Sequence, residues 1–431
     1  MTEDKNTSFL SNLLNVSIEA AKPNFVALNE NFPKPVKGRT IVIGAGKASG
    51  LMAKSFEDAA NLYWSPEEFA QIEGRVITRY GHAISCERIK VTEAAHPVPD
   101  DMGEVGVQQI LDLLNTLKSE DQVICLFSGG GSALMALPAN GVSMEDKKDI
   151  NKQLLASGAT IHEMNCVRRH LSRIKGGGLL RYCGDAKVRT YLVSDVTGDD
   201  PSVIASGPTL PDRTTCQDAL EVINRFKIQV SDKIRQKLIS GELETLKPGN
   251  PIFERTSEPV ILASSGDMLK AAEWYSRLKG VTPIILSGAI EGEAKEVGAA
   301  MANIALEMAK IKNDHTGPLL LLSGGETTVS GAKSGRGGRN TEFLLSFANA
   351  INGESGVYAI AVDSDGVDGS EESAGGIYTP EMISEAKTSN LSLSNILKSH
   401  NSAVFFEKLG ALIKSGPTRT NVNDFRAILL T

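Results

Sequence analysis

Short apolar runs alternate with longer amphipathic segments along the first half of the chain. A buried run, a glycine turn and a helical pattern follow one another at residues 39–56, RTIVIGAGKASGLMAKSF, and again at residues 121–135. Further apolar runs at 74–81, 88–94 and 187–196 have the length of strands. Because strands that alternate with helices usually pair in parallel, the pattern predicts a mostly parallel, doubly wound, Rossmann-like α/β sheet.

A second series of strand and helix patterns follows a proline-containing stretch. Residues 239–259 carry three prolines and little periodicity, so they are the predicted linker. The sequence therefore predicts an N-terminal Rossmann-like domain over 1–238 and a C-terminal α/β domain over 260–431.

The overall composition narrows the classes of function. The 431 residues carry a net charge of -7, which argues against a general nucleic-acid binder. No apolar run approaches the roughly 18 residues of a membrane span, and the polar start is unlike a secretory signal. Five dispersed cysteines without a C-x-x-C pair predict buried, free thiols in a reducing compartment, so we expect a cytoplasmic protein. Six histidines lack the spacing of zinc ligands, and the sequence gives no sign of an oligomeric state.

The first glycine turn contains Gly44 and Gly46, followed by Lys47. A dinucleotide site needs a third glycine where this chain has Ser49, and an acid about twenty residues later that the next strand lacks. Backbone N–H groups at the start of a helix attract anions, and Lys47 adds a positive charge. The turn predicts an anion site, and a tight strand–helix turn with a solvated lysine is the structural alternative.

A second glycine turn and a basic segment offer further ligands for an anion. The turn comprises Ser128, Gly129, Gly130, Gly131 and Ser132. Its glycines let a ligand approach the backbone closely. Within 165–180, Arg168 and Lys175 are expected on one face of a helix, next to another run of glycines. A flexible turn and a solvated basic helix are the structural alternatives.

Carboxylates follow a later strand, in the loop 194–212. Asp195 lies nearest to the strand end, and Asp200 follows in the same loop. Carboxylates at the carboxyl end of a strand are a common way to hold Mg²⁺ beside phosphates. Asp195 and Asp200 are therefore the candidate magnesium ligands, with simple turn formation at Asp200 as the alternative.

The segment 324–343 is the most unusual stretch, because it combines many glycines with several cations. Its cations are Lys333, Arg336 and Arg339. Arginine gives planar, bidentate recognition of phosphate or carboxylate, so the segment is predicted to close over an anion. Further candidate binding residues are Glu326, Asn340 and, in the acidic loop that follows, Asp365.

Phosphate-binding turns, cations and carboxylates are together the groups that phosphoryl transfer requires. Over longer motifs the chain resembles the glycerate 2-kinase family, some of whose members carry the name hydroxypyruvate reductase. The resemblance rests, in order, on GAGKAS, AAHPVPD, LFSGGGSALM, NCVRRHLSRIKGG, SDVTGDDPSVIASGPTLPD, LLSGGETTV, GGRNTEF, DSDGVDG and GPTRTNVNDFR. Its C-terminal part, about 316–431, resembles the MOFRL region.

The resemblance implies a kinase that uses ATP and Mg²⁺ to phosphorylate D-glycerate at the 2-hydroxyl, giving 2-phosphoglycerate, in a cleft between two α/β domains. It implies that Lys47 and Arg339 are catalytic, and Asp195 is the candidate metal ligand or general base. Candidate ATP or substrate ligands are the two glycine turns with Arg168, Lys175, Glu326, Arg336, Asn340 and Asp365. Departures from the usual family pattern at Thr341, Ser364 and Phe425 spare the charged residues and concern fine substrate preference.

Two other functions stay open at this point. An NAD(P)H-dependent hydroxypyruvate reductase is disfavoured by the missing third glycine and the missing acid of the first turn. A sensor that binds sugar-acid phosphates would use the same anion sites without turnover.

Overall fold

The computed structural model describes residues 5–311, 317–331, 335–369 and 371–431, so the predicted cation Lys333 lies outside the described residues. The chain forms two compact units. The central unit is Pro23–Leu262, and the terminal unit combines Met1–Lys22 with Ala263–Thr431.

The first helix, α1 (Lys5–Ala20), belongs to the terminal unit, whereas the sequence predicts it in the first domain. Leu10 and Leu13 on its apolar face are fully buried. The ring of Phe9 stacks on that of Tyr275, with 5.9 Å between the ring centroids. An amphipathic pattern shows that a helix has a buried face but not which sheet that face covers.

The central unit is built on a six-stranded sheet, in which the described strand pairs are parallel. Its strands are β1 (Thr40–Ala45), β2 (Ile72–Arg79), β3 (Ile89–Ala94), β4 (Gln122–Ser128), β5 (Lys187–Val193) and β6 (Val260–Ala263). Their order is β3-β2-β1-β4-β5-β6, which is the order of a doubly wound sheet and confirms the predicted α/β fold. Every residue of β1 and β4 is buried, because helices cover both faces of such a sheet.

Eight α-helices of the central unit are described between its strands. They are α2 (Ser49–Tyr63), α3 (Pro66–Phe69), α4 (Asp101–Leu114), α5 (Gly131–Leu134), α6 (Met144–Ala156), α7 (Ile161–His170), α8 (Cys216–Arg225) and α9 (Asp232–Ile239). Four of them, α3, α6, α7 and α8, begin with a capping box, in which a Ser or Thr and the acid three residues later satisfy each other's backbone N–H groups. Local sequence therefore sets where these helices begin.

The predicted linker, 239–259, lies within the central unit. The Leu246 carbonyl accepts a hydrogen bond from the Asp212 N–H over 2.8 Å, and Thr256 forms a bridge with Val188 of β5. Prolines reduce periodicity without preventing a segment from packing. The stretch is therefore an ordered covering of the central sheet.

The terminal unit contains a second six-stranded sheet, which is mixed. Its strands are β7 (Thr282–Ser287), β9 (Leu319–Gly325), β11 (Val357–Asp363), β12 (Gly375–Tyr378), β13 (Leu412–Ile413) and β14 (Asp424–Leu430), and β8 (Gly292–Glu293) pairs separately with β10 (Thr327–Thr328). The order is β13-β12-β11-β14-β9-β7. Only β7 and β9 pair in parallel within this sheet, and the other described pairs are antiparallel.

Six further helices cover this sheet together with α1. They are α10 (Ser265–Leu278), α11 (Ala294–Ile311), α12 (Arg339–Ile351), α13 (Met382–Thr388), α14 (Leu393–Lys398) and α15 (Ser402–Lys408). In the part of the chain that the structure describes, no helix is long and apolar enough to cross a membrane. All five cysteines are free thiols, as predicted, and all of them except Cys86 are buried.

Candidate active site

The first glycine turn, between β1 and α2, is shaped by close packing against β4. A Cβ atom on Gly44 would lie 2.0 Å from the carbonyl oxygen of Leu126, and one on Gly46 would lie 2.1 Å from Ser128 Oγ. Gly46 also has a φ of +143°, which side chains disfavour. Ser128 Oγ accepts a hydrogen bond from the Ala48 N–H over 3.0 Å. Packing alone therefore accounts for both glycines and for Ser128.

Lys47 lies between the two glycine turns. Its N–H donates to the Gly129 carbonyl over 2.8 Å, and its own carbonyl accepts from Thr78 Oγ1 over 3.2 Å. The aliphatic stem passes the second turn closely, because a Cβ atom on Gly130 would lie 3.4 Å from Lys47 Cγ. These contacts position the side chain where β1 and β4 both end, at the edge where doubly wound sheets bind ligands.

The second glycine turn brings Ser132 against Lys175, which is 2% exposed. Lys175 Nζ donates to the carbonyl oxygen of Ser132 over 2.5 Å and also to its hydroxyl. Ser132 Oγ lies 3.0 Å from Ser206 Oγ, and Ser206 donates to Asn165 Oδ1 over 3.3 Å. Ser206 has a φ of +63°, an uncommon conformation for a residue with a side chain, and such strain is concentrated at functional sites.

A cavity of about 1120 Å³ lies beside this turn, within the central unit. Gly130, Ser132, Arg168 and Lys175, all predicted as ligands, line it. Ligand cavities usually have volumes of about 300–1,000 Å³, so this one accommodates a ligand of nucleotide size. Residues of the second glycine turn and of the basic segment therefore line the same cavity.

Arg168 and Lys175 meet at the cavity by a different route from the predicted one. The sequence predicts one helix that carries both residues, but α7 ends at His170. The chain then turns, with the Arg173 N–H donating to the Leu137 carbonyl over 3.1 Å. Gly176, with a φ of +53°, follows this turn. The prediction that Arg168 and Lys175 share one face of a helix is therefore wrong, although both residues line the same cavity.

The candidate magnesium ligands follow β5. Asp195 is half-buried and comes two residues after the strand ends at Val193. Asp200 is exposed, and its Oδ1 accepts a hydrogen bond from the Ser202 N–H over 2.9 Å. Asp200 thus takes part in a turn, which is the alternative role that the sequence left open. A carboxylate has a second oxygen with which it can also bind a cation.

Carboxylates converge at one edge of the terminal sheet because its last strand is antiparallel to its neighbours. The register pairs Asp424 of β14 with Asp363 of β11 and with Gly325 of β9. Glu326 follows Gly325 directly. The beginning of β14 therefore lies at the edge where β9 and β11 end.

Arg339, the first residue of α12, binds this group of carboxylates. Its guanidinium donates to Asp424 Oδ1 over 2.7 Å, to Glu326 Oε1 over 2.7 Å and to Asp363 Oδ2 over 2.8 Å. Burial opposes its charge, but these three carboxylates outweigh burial and hold its pKa well above the ordinary value. Arg339 is a fixed cation whose main partners are acids of the same unit.

Two family models match this sequence. The MOFRL family model matches residues 319–424, and that of a domain of unknown function (DUF4147) matches residues 9–239, just over half of the chain.

Individual relatives match over nearly the full length. A protein of Agrobacterium vitis with the provisional name hydroxypyruvate reductase is 44% identical over 98% of this chain and 94% of its own length. A glycerate 2-kinase of Pyrococcus horikoshii is 36% identical over 92% of this chain and 88% of its own length. The crystal structure of glycerate kinase from Thermotoga maritima has a TM-score of 0.85 at 34% identity, covering 98% of this chain and 99% of that chain. The chain belongs to the glycerate 2-kinase family.

The glycerate 2-kinase motifs of the terminal unit hold side chains with different partners. Arg336 is exposed and donates to Glu371 and Glu407, over 2.9 Å each. Asn340 is buried and donates to Asp424 Oδ1 over 2.8 Å. Asp365 is buried, and its Oδ1 accepts from the Val367 N–H over 2.9 Å.

The departure from the family pattern at Thr341 has a structural role. Its hydroxyl donates to Asp368 Oδ2 over 2.8 Å, and its N–H donates to the same oxygen over 2.9 Å. Asp368 also accepts from the Asn340 N–H over 2.9 Å, so this buried carboxylate caps the beginning of α12. Thr341 therefore supports the helix that carries Arg339.

Three candidate functional features of this glycerate 2-kinase family member are not identified from the sequence alone. Lys147 lines the cavity, and Asp424 lies at the centre of the Arg339 group. Within the described ranges, one set of three potential metal ligands lies within 4.8 Å: His170, Cys216 and Glu244. These residues are far apart in sequence, so no spacing motif could reveal them.

The His170 group is already neutralised by a lysine. Glu244 Oε1 lies 3.0 Å from His170 Nε2 and 2.5 Å from Lys247 Nζ, and Glu244 Oε2 accepts from the Cys216 N–H over 3.1 Å. Burial opposes ionisation, but hydrogen bonds from Lys247, Cys216 and His170 lower the pKa of Glu244 to about 2. A cation here would have to compete with Lys247, so the group is a structural ion pair.

Proposed function

We propose that this chain is a kinase that transfers the γ-phosphoryl group of ATP to the 2-hydroxyl of D-glycerate, giving 2-phosphoglycerate and ADP. The observation that carries the proposal is the position of Lys47 between two glycine turns, beside a basic cavity, in a chain that matches glycerate 2-kinases along most of its length. Phosphoryl transfer depends on positioning and on neutralising charge, and these groups supply both.

The reaction breaks the bond between the γ-phosphorus and the bridging oxygen of ATP and forms a bond from that phosphorus to the 2-oxygen of glycerate. Lys47 stabilises the charge on the transferred group or on the glycerate carboxylate. Asp195 either orients the 2-hydroxyl and accepts its proton, as a carboxylate near an attacking hydroxyl does, or is a ligand of the magnesium ion. Arg339, whose guanidinium also pairs with Glu326, Asp363 and Asp424, is in this proposal the second cation that binds an anion of the reaction.

The residues after β5 fit a magnesium ion. Mg²⁺ in kinases is usually bound through one or two carboxylates together with water and phosphate oxygens, and Asp195 and Asp200 offer such carboxylates at a sheet edge. When bound, Mg²⁺ neutralises charge on the phosphates of ATP.

The Agrobacterium vitis relative, whose provisional name is hydroxypyruvate reductase, favours a second candidate function. A reductase would bind a nicotinamide dinucleotide at the first glycine turn. The turn lacks the third glycine, and β2 ends at Arg79 where a ribose-binding acid would be expected. The kinase is therefore the better supported function.

One pair of assays separates the two functions. The chain is incubated with D-glycerate, Mg²⁺ and ATP, and ADP release is followed while phosphorus NMR identifies the product. We expect stoichiometric ADP and 2-phosphoglycerate. Oxidation of NADH by hydroxypyruvate, without any ADP release in the first assay, would show that the reductase is correct.

A further inference from the structure

The ammonium group of Lys147 is buried, and no acid among the described residues pairs with it. Lys147 belongs to the first turn of α6 and lines the same cavity as Arg168 and Lys175. Its Nζ is buried and finds no hydrogen-bond partner among the described residues. A buried charge without a partner is costly, so such a group indicates that a ligand supplies the opposite charge.

The cations next to Lys147 also have only neutral partners. Arg168 Nε donates to Asn151 Oδ1 over 2.7 Å, and Lys175 donates to Ser132. In contrast, the neighbouring Arg169 pairs with Asp212 over 2.9 Å. No salt bridge in the described ranges involves Lys147, Arg168 or Lys175, so three cations line the cavity without an acid of their own.

The other groups that line the cavity do not remove this excess charge. The acids are Glu145, Asp146 and Asp149, and the further titratable groups are His96, Lys148 and Lys152. Asp146 accepts hydrogen bonds from Ser143 at the beginning of α6, and Glu145 and Asp149 are exposed. Apolar residues also line the cavity, among them Met144, Leu154, Val167 and Leu171.

We propose that this cavity binds a nucleotide, with its polyphosphate on Lys147, Arg168 and Lys175 and its base against the apolar residues that line the same cavity. A charged cluster beside an apolar surface matches a molecule with an anionic chain and a flat ring. The proposal rests on the proposed function for the choice of ATP as the nucleotide. It adds Lys147 as a binding residue and couples binding to proton uptake.

The coupling follows from the state of the amines before the nucleotide arrives. The pKa of Lys147 is lowered to about 8, mainly by burial and to a smaller extent by the charge of Arg168. The pKa of Lys175 is lowered well below its ordinary value, mainly by burial. The charges of Lys147, Arg168 and Arg169 lower it further. Bound phosphates favour the charged amines and raise both pKa values, so binding takes up protons. Affinity is therefore highest below pH 8 and falls as the pH rises above it.

Titration calorimetry of the full chain with Mg²⁺–ADP tests this proposal. Measurements in two buffers of different ionisation enthalpy, on each side of pH 8, give the number of protons taken up. We expect Lys147→Met to weaken ADP binding about ten- to a hundredfold, because a charge-assisted hydrogen bond is lost, and to reduce the uptake. Lys147→Arg should keep the affinity for ADP. The part of its pH dependence that comes from titration of Lys147 should disappear, because arginine stays protonated.

Lys118→Met is the matched control, because Lys118 is exposed and does not line the cavity. It should bind ADP as the unmodified chain does. The proposal is overturned if Lys147→Met binds ADP with unchanged affinity and proton uptake. It is also overturned if D-glycerate, and not ADP, causes the uptake, since the anion would then be the substrate carboxylate.

Steady-state kinetics separates this inference from the proposed function. If the chain phosphorylates D-glycerate and Lys147→Met leaves the KM for ATP unchanged, the kinase is correct and the role of Lys147 is wrong. If the unmodified chain binds ADP with proton uptake but transfers no phosphoryl group, the cavity assignment is supported and the proposed reaction is wrong.

Discussion

Arg339 Nε donates to Asp424 Oδ1 over 2.7 Å, and this ion pair joins the first residue of α12 to the first residue of β14. Asp424 is fully buried, and its other oxygen accepts from Arg426, which is 1% exposed. A carboxylate held by two arginines in this way is fixed in position. The terminal unit therefore depends on Arg339 for structure.

We expect Arg339→Met to destabilise the terminal unit by about 3 kcal/mol, because it removes a charged partner from the buried carboxylates of Asp363 and Asp424. The midpoint of urea unfolding of the full chain measures this loss. Arg336→Met is the matched control, since Arg336 is exposed and pairs with Glu371 and Glu407 at the surface. Equal midpoints for the two variants would contradict a structural role for Arg339.

Lys47→Met tests the proposed chemistry of the central unit. We expect it to lower kcat about 10²–10³-fold, since removal of one group that stabilises transition-state charge has effects of this size. The chain should stay folded, because the backbone contacts of Lys47 with Gly129 and Thr78 do not involve its side chain. Lys54→Met, which removes an exposed lysine paired with Asp58 on α2, should retain full activity. A sensor would show no turnover in any of these proteins.

Gly46→Ala tests whether the first turn is set by packing. The new methyl would meet Ser128 Oγ in a backbone conformation that favours glycine, so we expect a loss of about 1–3 kcal/mol in stability. Thermal unfolding followed by circular dichroism gives the change in midpoint. In Gly266→Ala, where the nearest atom to the added Cβ is 3.4 Å away, the midpoint should stay the same or rise. If Gly46→Ala keeps the stability but loses nucleotide or substrate binding, the glycine serves a ligand.

Glu244→Gln should lower the thermal midpoint at neutral pH, because the buried His170 and the neighbouring Lys247 lose a charged partner. The pKa of Glu244 in the folded chain is lowered to about 2, so its contribution is complete above the unfolded value of about 4.3. That contribution disappears as the pH falls towards 2, and the difference between the two proteins should disappear with it. Glu242→Gln, at an exposed pair with Lys237, should show little difference at any pH. If the difference in thermal midpoint between Glu244→Gln and the unmodified chain stays constant from pH 7 to pH 2, the effect comes from packing and not from charge.

Local patterns in the sequence determine much of the central unit. The alternation of buried strands, glycine turns and helices predicts its parallel sheet, because each pattern involves residues close along the chain. The capping boxes define where helices such as α6 begin. The two glycine turns are likewise visible, because a tight turn at the end of a buried strand needs residues without side chains.

Only the tertiary structure decides which of these local elements meet. The helix α1 joins the terminal unit, β14 runs antiparallel and brings Asp424 to Arg339, and the turn after His170 brings Lys175 to the cavity that Lys147 also lines. Each of these relationships joins residues far apart in the chain and depends on packing and charge in three dimensions. The sequence by itself determines the strands, the turns and the chemical groups, and the fold decides which charges are neutralised within the protein and which remain for a ligand.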